Sequence, residues 1–144
     1  MFSIGPAASA EALFAATVPS TDSLQAFSDS ALSRGATLYR SGKYAAAARE
    51  FRISISLTPN SSNAPDAVKY LASSYVKLGN VEQAVDEYRA YLKLNPSSSA
   101  TLVNLGNLLY AEDRYDEAVV EYEKAVKLDP GVSNRFSLGQ AYLQ

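Results

Sequence analysis

The side chains that usually carry chemistry are sparse in this chain, and two kinds are missing altogether. There is no histidine and no cysteine, which removes the commonest general base, the commonest metal ligand and all thiolate chemistry. Carboxylates, lysines, arginines and hydroxyls remain. The densest carboxylate group is Glu112, Asp113, Asp116 and Glu117, a spacing that invites a test for general acid–base or cation-binding work. These acids read instead as a turn and a helix start, where the positive end of the helix dipole favours them. No phosphate-cradling glycine loop, metal-ligand spacing or nucleophile motif is present. The sequence therefore predicts no catalysis, no metal and no cofactor. Non-covalent recognition is better served: Lys69, Ser73, Val76 and Lys77 fall on one stripe at helical spacing.

Those residues need a scaffold, and composition bounds it. A chain of 144 residues, 47% apolar and 19% charged, is one folded domain rather than a disordered tract. A net charge of −2 and a pI near 5.1 argue against nucleic acid as partner, because that requires a basic footprint. The net value hides segregation: residues 1–33 carry −3, residues 34–111 carry +4 and residues 112–130 carry −4. No apolar run is long enough to span a bilayer, so no membrane insertion is expected. Ala7 to Val18 is small and apolar like a secretory core segment. Yet no Lys or Arg precedes it and Glu11 interrupts it, so the signal pattern fails. A cytoplasmic location is the default expectation.

Helical signals dominate after Pro19. Thr21 or Asp22 is placed to cap a helix, with Asp22 and Gln25 spaced as a capping box. Leu24, Phe27, Ala31, Leu32, Gly35 and Leu38 recur at helical spacing, and Ser41-Gly42 stops that helix. Further helices are predicted over 44–57, 64–78, 81–94, 99–111, 115–128 and 132–143. An optional short helix over about 9–17 would make eight. Pro59, Pro96 and Pro130 each close a helical pair. The fold class expected is all-α: a right-handed α-α superhelix, or solenoid, of about three and a half helix-turn-helix repeats. Residues 1–20 form a tail or short helix ahead of an array over 21–144, with repeats at about 28–61, 65–98 and 99–131 and a partial one at 132–144.

The repeat shows in the residues. Ala84-Val85-Asp86-Glu87-Tyr88 through Pro96 returns as Ala118-Val119-Val120-Glu121-Tyr122 through Pro130, with the two prolines 34 residues apart. Ala47 to Phe51 through Pro59 is a looser copy, and Leu138-Gly139-Gln140-Ala141-Tyr142 begins a fourth. Gly35, Ala72 and Gly106 hold equivalent places in the first helix of each pair, as do Ala47, Ala84 and Ala118 in the second. Small residues there allow close helix approach. Phe51, Tyr88 and Tyr122 are expected to fill the space between repeats. This pattern resembles the tetratricopeptide repeat family over about residues 28–144. Departures exist: about three extra residues near Ser61 to Asn63, Ser54 and Tyr91 where the family prefers alanine, and Asp113 in place of a turn glycine.

The resemblance implies a protein–protein interaction module or scaffold that binds a peptide or helical segment in a concave groove lined by first helices. By position it assigns to that groove Leu32, Ala36, Tyr39 and Arg40, then Lys69, Ser73, Val76 and Lys77, then Val103, Asn107 and Tyr110. The same carry-over also names Asp29, Asp66, Ala100, Ala111, Phe136 and Gln140. The mixture of apolar residues and cations suits a peptide with apolar anchors and some acidic character. One subset of the family grips the C-terminal carboxylate of heat-shock chaperones with lysine, asparagine and arginine. Those places hold Leu32, Ala36, Ser73, Val103 and Asn107 here, so that clamp is not expected. The final helix offers Phe136, Leu138, Tyr142 and Leu143 as an apolar face. This reads either as one break in a longer array or as a homo-oligomer contact, and self-association through terminal helices is the alternative function.

Overall fold

The computed structural model describes residues 18–144. Seven α-helices and no strand occur among the described residues: α1 Thr21–Arg40, α2 Tyr44–Leu57, α3 Ala64–Lys77, α4 Val81–Leu94, α5 Ser99–Ala111, α6 Tyr115–Leu128 and α7 Val132–Tyr142. The helix proposed for 9–17 lies outside them. Each helix packs on the next. In addition α1 touches α3, α3 touches α5 and α5 touches α7, whereas α2, α4 and α6 make no such backbone-close contacts with one another. First helices are therefore crowded together and second helices splayed, which curls the stack into a superhelix with first helices on its inner side.

The turns inside each pair share one physical solution. Gly42 at φ 76° and Gly79 at φ 80° occupy the left-handed region that ends a helix. Asp113 takes the third such place at φ 60°, as its short polar side chain permits. All three close the same double hydrogen bond. The next N–H reaches back to the carbonyls of Leu38, Tyr75 and Leu109 at 2.9 Å in each case. Their own N–H groups bond Tyr39, Val76 and Tyr110. At the other end of α1 the cap differs from the expected one. Ser20, not Thr21 or Asp22, accepts from the Ser23 N–H at 3.2 Å, because its serine oxygen is placed one residue earlier.

Packing explains the small residues. A Cβ placed on Gly35 would stand 2.7 Å from Phe51 Cε1, and one on Gly106 would stand 2.6 Å from Tyr122 Cε1. The glycines thus seat an aromatic ring from the second helix of their own pair, which refines the expectation that these rings separate repeats. Phe51 also stacks on Tyr70 of the next pair, ring centres 5.6 Å apart. Ala47, Ala84 and Ala118 are fully buried. The core is continuous: Phe51 and Leu71 centre one cluster, Tyr88, Leu105 and Leu109 another, and Ile55 and Tyr75 border both.

Two sequence departures resolve in the same core. Ser54 is buried, and its hydroxyl and carbonyl meet the Ser28 hydroxyl at 2.9 and 3.1 Å, while Thr58 Oγ1 donates to Ser28 Oγ at 2.7 Å. A hydroxyl in the alanine place is thus satisfied rather than orphaned. Tyr91 is buried among Tyr88, Leu105 and their neighbours instead of reaching the surface. Phe27, placed by periodicity on the core stripe, is 64% exposed. Ser28 turns inward in its stead, because the hydroxyl cluster recruits it. The splayed outer helices are bridged by long side chains: Arg52 to Glu87 at 2.6 Å and Arg89 to Glu117 at 3.0 Å. Exposed pairs of this kind are each worth about 0–1 kcal/mol.

Candidate binding cleft

The crowded inner side carries a cleft of about 300 Å³. Tyr39 of α1, Lys69, Ala72, Ser73, Val76 and Lys77 of α3, Tyr88 of α4, and Asn104, Asn107 and Leu108 of α5 line it. Six groove residues named from sequence therefore meet in one place: Tyr39, Lys69, Ser73, Val76, Lys77 and Asn107. The other five lie elsewhere. Leu32 packs on the Phe51 cluster, and Val103 and Tyr110 pack on the Tyr88 cluster. Ala36 is half-buried on α1. Arg40 is exposed at the end of α1 and donates to Thr37 Oγ1 at 3.4 Å.

The reason is angular. On α5 the stripe facing the cleft is 104–107–108, one residue round from the 103–107–110 stripe that was named. Asn104 and Leu108 were missed for that reason. Ala72 and Tyr88, expected from sequence as packing residues, also line the cleft. Repeat-by-repeat alignment fixes which helix faces inward but not its rotation to within one residue.

The cleft is rich in donors and poor in acceptors. No carboxylate lines it. Among the described residues neither Lys69 nor Lys77 has an ion-pair partner, a state they share with Arg40, Lys43, Arg49, Lys93, Lys127 and Arg135. The Asn107 side-chain oxygen accepts from the Tyr122 hydroxyl at 2.7 Å, which leaves the amide N–H groups to donate. Burial pushes the Tyr88 phenol well above its ordinary range, so it stays protonated and able to donate. Tyr39 supplies an aromatic wall, itself braced edge-on by Tyr44 at 5.2 Å and Tyr70 at 6.0 Å. The surface sets these donors beside an apolar floor. It assembles no acid–base pair and no nucleophile beside a base.

Two of the four acids around the start of α6, Asp113 and Glu117, are occupied structurally. The Asp113 carboxylate accepts from the Tyr115 hydroxyl at 2.6 Å. Arg114 grips Glu117 through two N–H groups at 2.8 and 2.9 Å. That fork, with desolvation opposing it and Arg89 assisting, holds the Glu117 carboxyl below the usual range. A second hollow of about 470 Å³ lies among α4, α5 and α6, with Arg89, Lys93, Glu121 and Lys124 at its rim. Glu117 and Glu121 already pair Arg89 and Lys124 there. Its charge is largely internal, which leaves the α1–α3–α5 cleft as the better site for an outside ligand.

Of the terminal-helix residues named from sequence, Leu138 packs against the Tyr88 cluster. Phe136, Tyr142 and Leu143 remain 64%, 60% and 85% exposed. Tyr142 donates to Glu123 and Gln144 donates to the Tyr110 hydroxyl, which ties the end of α7 to the pair before it. Asp66, Ala100, Ala111 and Gln140 are exposed outside the cleft, and exposed Asp29 accepts from Gln25 at 2.8 Å.

Comparison with known proteins agrees with this architecture. The tetratricopeptide repeat family model matches residues 32–99, 69–133 and 104–144. The chain is 32% identical over 87 residues to small glutamine-rich tetratricopeptide repeat-containing protein 2 of Mycosarcoma maydis, covering 60% of this chain and 24% of that protein. It is 29% identical over 112 residues to the photosystem I assembly protein Ycf3 of a Synechococcus strain, covering 67% of this chain and 64% of that one. The chain thus spans about a quarter of the first relative and under two thirds of the second. Among solved structures, the first tetratricopeptide domain of Spaghetti (RPAP3) bound to an HSP90 peptide superposes with a TM-score of 0.65 at 20% identity. It covers 83% of this chain and 93% of that one. The Sgt2 domain from Aspergillus fumigatus gives 0.64 at 20% identity, covering 80% and 76%. The chain belongs to the tetratricopeptide repeat family.

Proposed function

We propose that the chain, an interaction module of that family, binds a peptide or helical segment of a partner protein in the α1–α3–α5 cleft, without catalysis or cofactor. The observation that carries this reading is the meeting of Lys69 and Lys77, free of protein carboxylates, with an apolar floor of Tyr39, Val76 and Leu108. The ligand it fits has apolar side chains at its centre and carboxylates or free carbonyls at its edges. The Spaghetti domain, which carries an HSP90 peptide, lends the general mode. The specific grip differs, since Leu32, Ala36, Ser73 and Val103 stand where a carboxylate clamp would need lysine, asparagine or arginine.

Capture of partners by the wild-type chain and by Lys69→Glu/Lys77→Glu tests the reading. Both lysines are exposed, so the variant should fold normally. It is expected to lose the acidic ligands that the wild type retains. Identical sets on both baits would remove the cleft from recognition. A ligand held through charge should also weaken as ionic strength rises.

A further inference from the structure

The ring that each second helix lays against its own first helix ends differently in each pair. Phe51, Tyr88 and Tyr122 hold equivalent places, and the matching first-helix residues are Ala36, Ser73 and Asn107. In the third pair the Tyr122 hydroxyl donates to the Asn107 side-chain oxygen at 2.7 Å. In the first pair Phe51 has nothing to donate and the Ala36 side chain nothing to accept with. The second pair is mismatched: it keeps the phenol but has a serine for the asparagine, one bond shorter. Among the described residues neither the Tyr88 nor the Ser73 hydroxyl has a hydrogen-bond partner, and no unpartnered polar side-chain atom is fully sealed from solvent. Tyr88 is only 4% exposed, so that remnant includes its hydroxyl. Both residues line the cleft.

The surroundings say which acceptor fits. Lys69 and Lys77 lie four residues to either side of Ser73, on the same face of α3. Two ammonium groups thus flank the place where the third pair keeps its amide oxygen. No carboxylate among the described residues lines the cleft, and Asn104 and Asn107 face it from α5. An anionic acceptor is favoured there, because hydrogen bonds to a charged partner are roughly twice as strong as neutral ones. α3 packs on both α1 and α5, and Tyr39 of α1 and Leu108 of α5 offer apolar contact on its two sides. A segment crossing from α1 to α5 passes over Ser73 midway, which suits a side chain rather than a chain end.

We propose that Tyr88 determines specificity: its hydroxyl donates to the side-chain carboxylate of an aspartate or glutamate in the bound segment. That carboxylate takes the place of the oxygen that Asn107 gives Tyr122. Ser73 and the Asn107 amide donate beside it, and Lys69 and Lys77 balance its charge. The inference rests on the cleft being the binding surface, and adds to it one carboxylate that reaches inward over α3.

The probe is a random peptide library displayed within a loop of a carrier protein, so that no free chain end is offered, selected on the full chain. A selected acidic peptide is made with blocked ends, together with the same peptide bearing the matching amide in place of its acid. Calorimetric titration of wild type should show the acid form bound at least about tenfold more tightly. Tyr88→Phe should weaken the acid form by about tenfold or more and the amide form by about threefold or less. It should unfold no earlier than wild type, since the hydroxyl it removes has no partner in the free chain. Ser73→Asn should narrow the preference in the same way, by giving Tyr88 the internal acceptor that Tyr122 has. Lys69→Glu/Lys77→Glu separates the two levels. If it binds the selected peptides as wild type does, or if the library yields no binder, the cleft reading fails and this inference with it. If it loses them while Tyr88→Phe keeps the wild-type preference for acid over amide, the cleft stands and the role of Tyr88 is overturned. Selected peptides without an acid overturn that role as well, as does a Tyr88→Phe midpoint clearly below wild type.

Discussion

The seating of rings on glycines makes one substitution act with opposite sign at two places in the same fold. In Gly106→Ala the new Cβ would stand 2.6, 2.8 and 3.0 Å from Cε1, Cδ1 and Cζ of Tyr122. Ordinary carbon contacts begin near 3.5 Å, so the ring must retreat by the better part of an ångström. It has little room to do so. Tyr122 is buried, and its hydroxyl is fixed to Asn107 at 2.7 Å. Overpacking of a tight site costs about 1–3 kcal/mol, and a pinned ring met by three close atoms belongs in the upper part of that range. Replacing glycine by alanine inside a helix returns about 1 kcal/mol. The net expectation is a loss of about 1–2 kcal/mol, or roughly 3–8 °C in thermal midpoint for a chain of this size. Gly139→Ala has no ring to displace, so only the helical gain remains, about 0.5–1 kcal/mol. Thermal unfolding followed by circular dichroism measures both. A Gly106→Ala midpoint at or above wild type would refute the seating argument, whatever Gly139→Ala does.

Other expectations follow from the same packing. Ala84→Leu adds three carbons where nothing is exposed and should destabilise by about 1–3 kcal/mol; an unchanged midpoint would contradict the helix register. Ser28→Ala removes the hub that joins Ser54 and Thr58 and should cost about 0.5–1.5 kcal/mol, detectable as a lower urea midpoint at unchanged slope. Alkaline stability carries a sign. Burial raises the phenols of Tyr88, Tyr91 and Tyr122 above the ordinary value of 10.0, so above pH 10 the unfolded chain releases protons that the folded chain retains. Stability should hold up to that pH and then fall, by at most about 1.4 kcal/mol per pH unit for each fully shifted group. Tyr88→Phe should flatten part of the fall, and an alkaline limb identical to wild type would show that this phenol ionises as freely folded as unfolded.

The fold was readable because the features that set it are local and repeated. Gly42, Gly79 and Asp113 stop first helices by a requirement on φ alone, and a proline two residues beyond each second helix sharpens its end. Neither depends on distant contacts. What escaped was decided across helices. Phe27 obeys the helical period yet lies outward, because Ser28 is drawn in by hydroxyls 26 and 30 residues away. The cap at Ser20 was missed by a single residue, a shift that periodicity does not resolve.

The cleft shows the same division at the level of function. Lys69, Ser73, Val76 and Lys77 were found as a stripe because one helix suffices to define one. Asn104 and Leu108 were not, because their exposure depends on how α5 packs against α3, which one helix's period does not specify. Tyr91 is buried in the same core cluster as Leu105 of α5, so its bulk can bear on what α5 presents to the cleft without touching a ligand. If the cleft binds as proposed, core residues between repeats are expected to tune recognition, and Tyr91→Ala should alter ligand preference while Lys69 and Lys77 stay where they are. Parallel capture by Tyr91→Ala and wild type measures this. If the variant folds and its ligand set is unchanged, the rotation of α5 has no bearing on binding and only the α3 stripe matters.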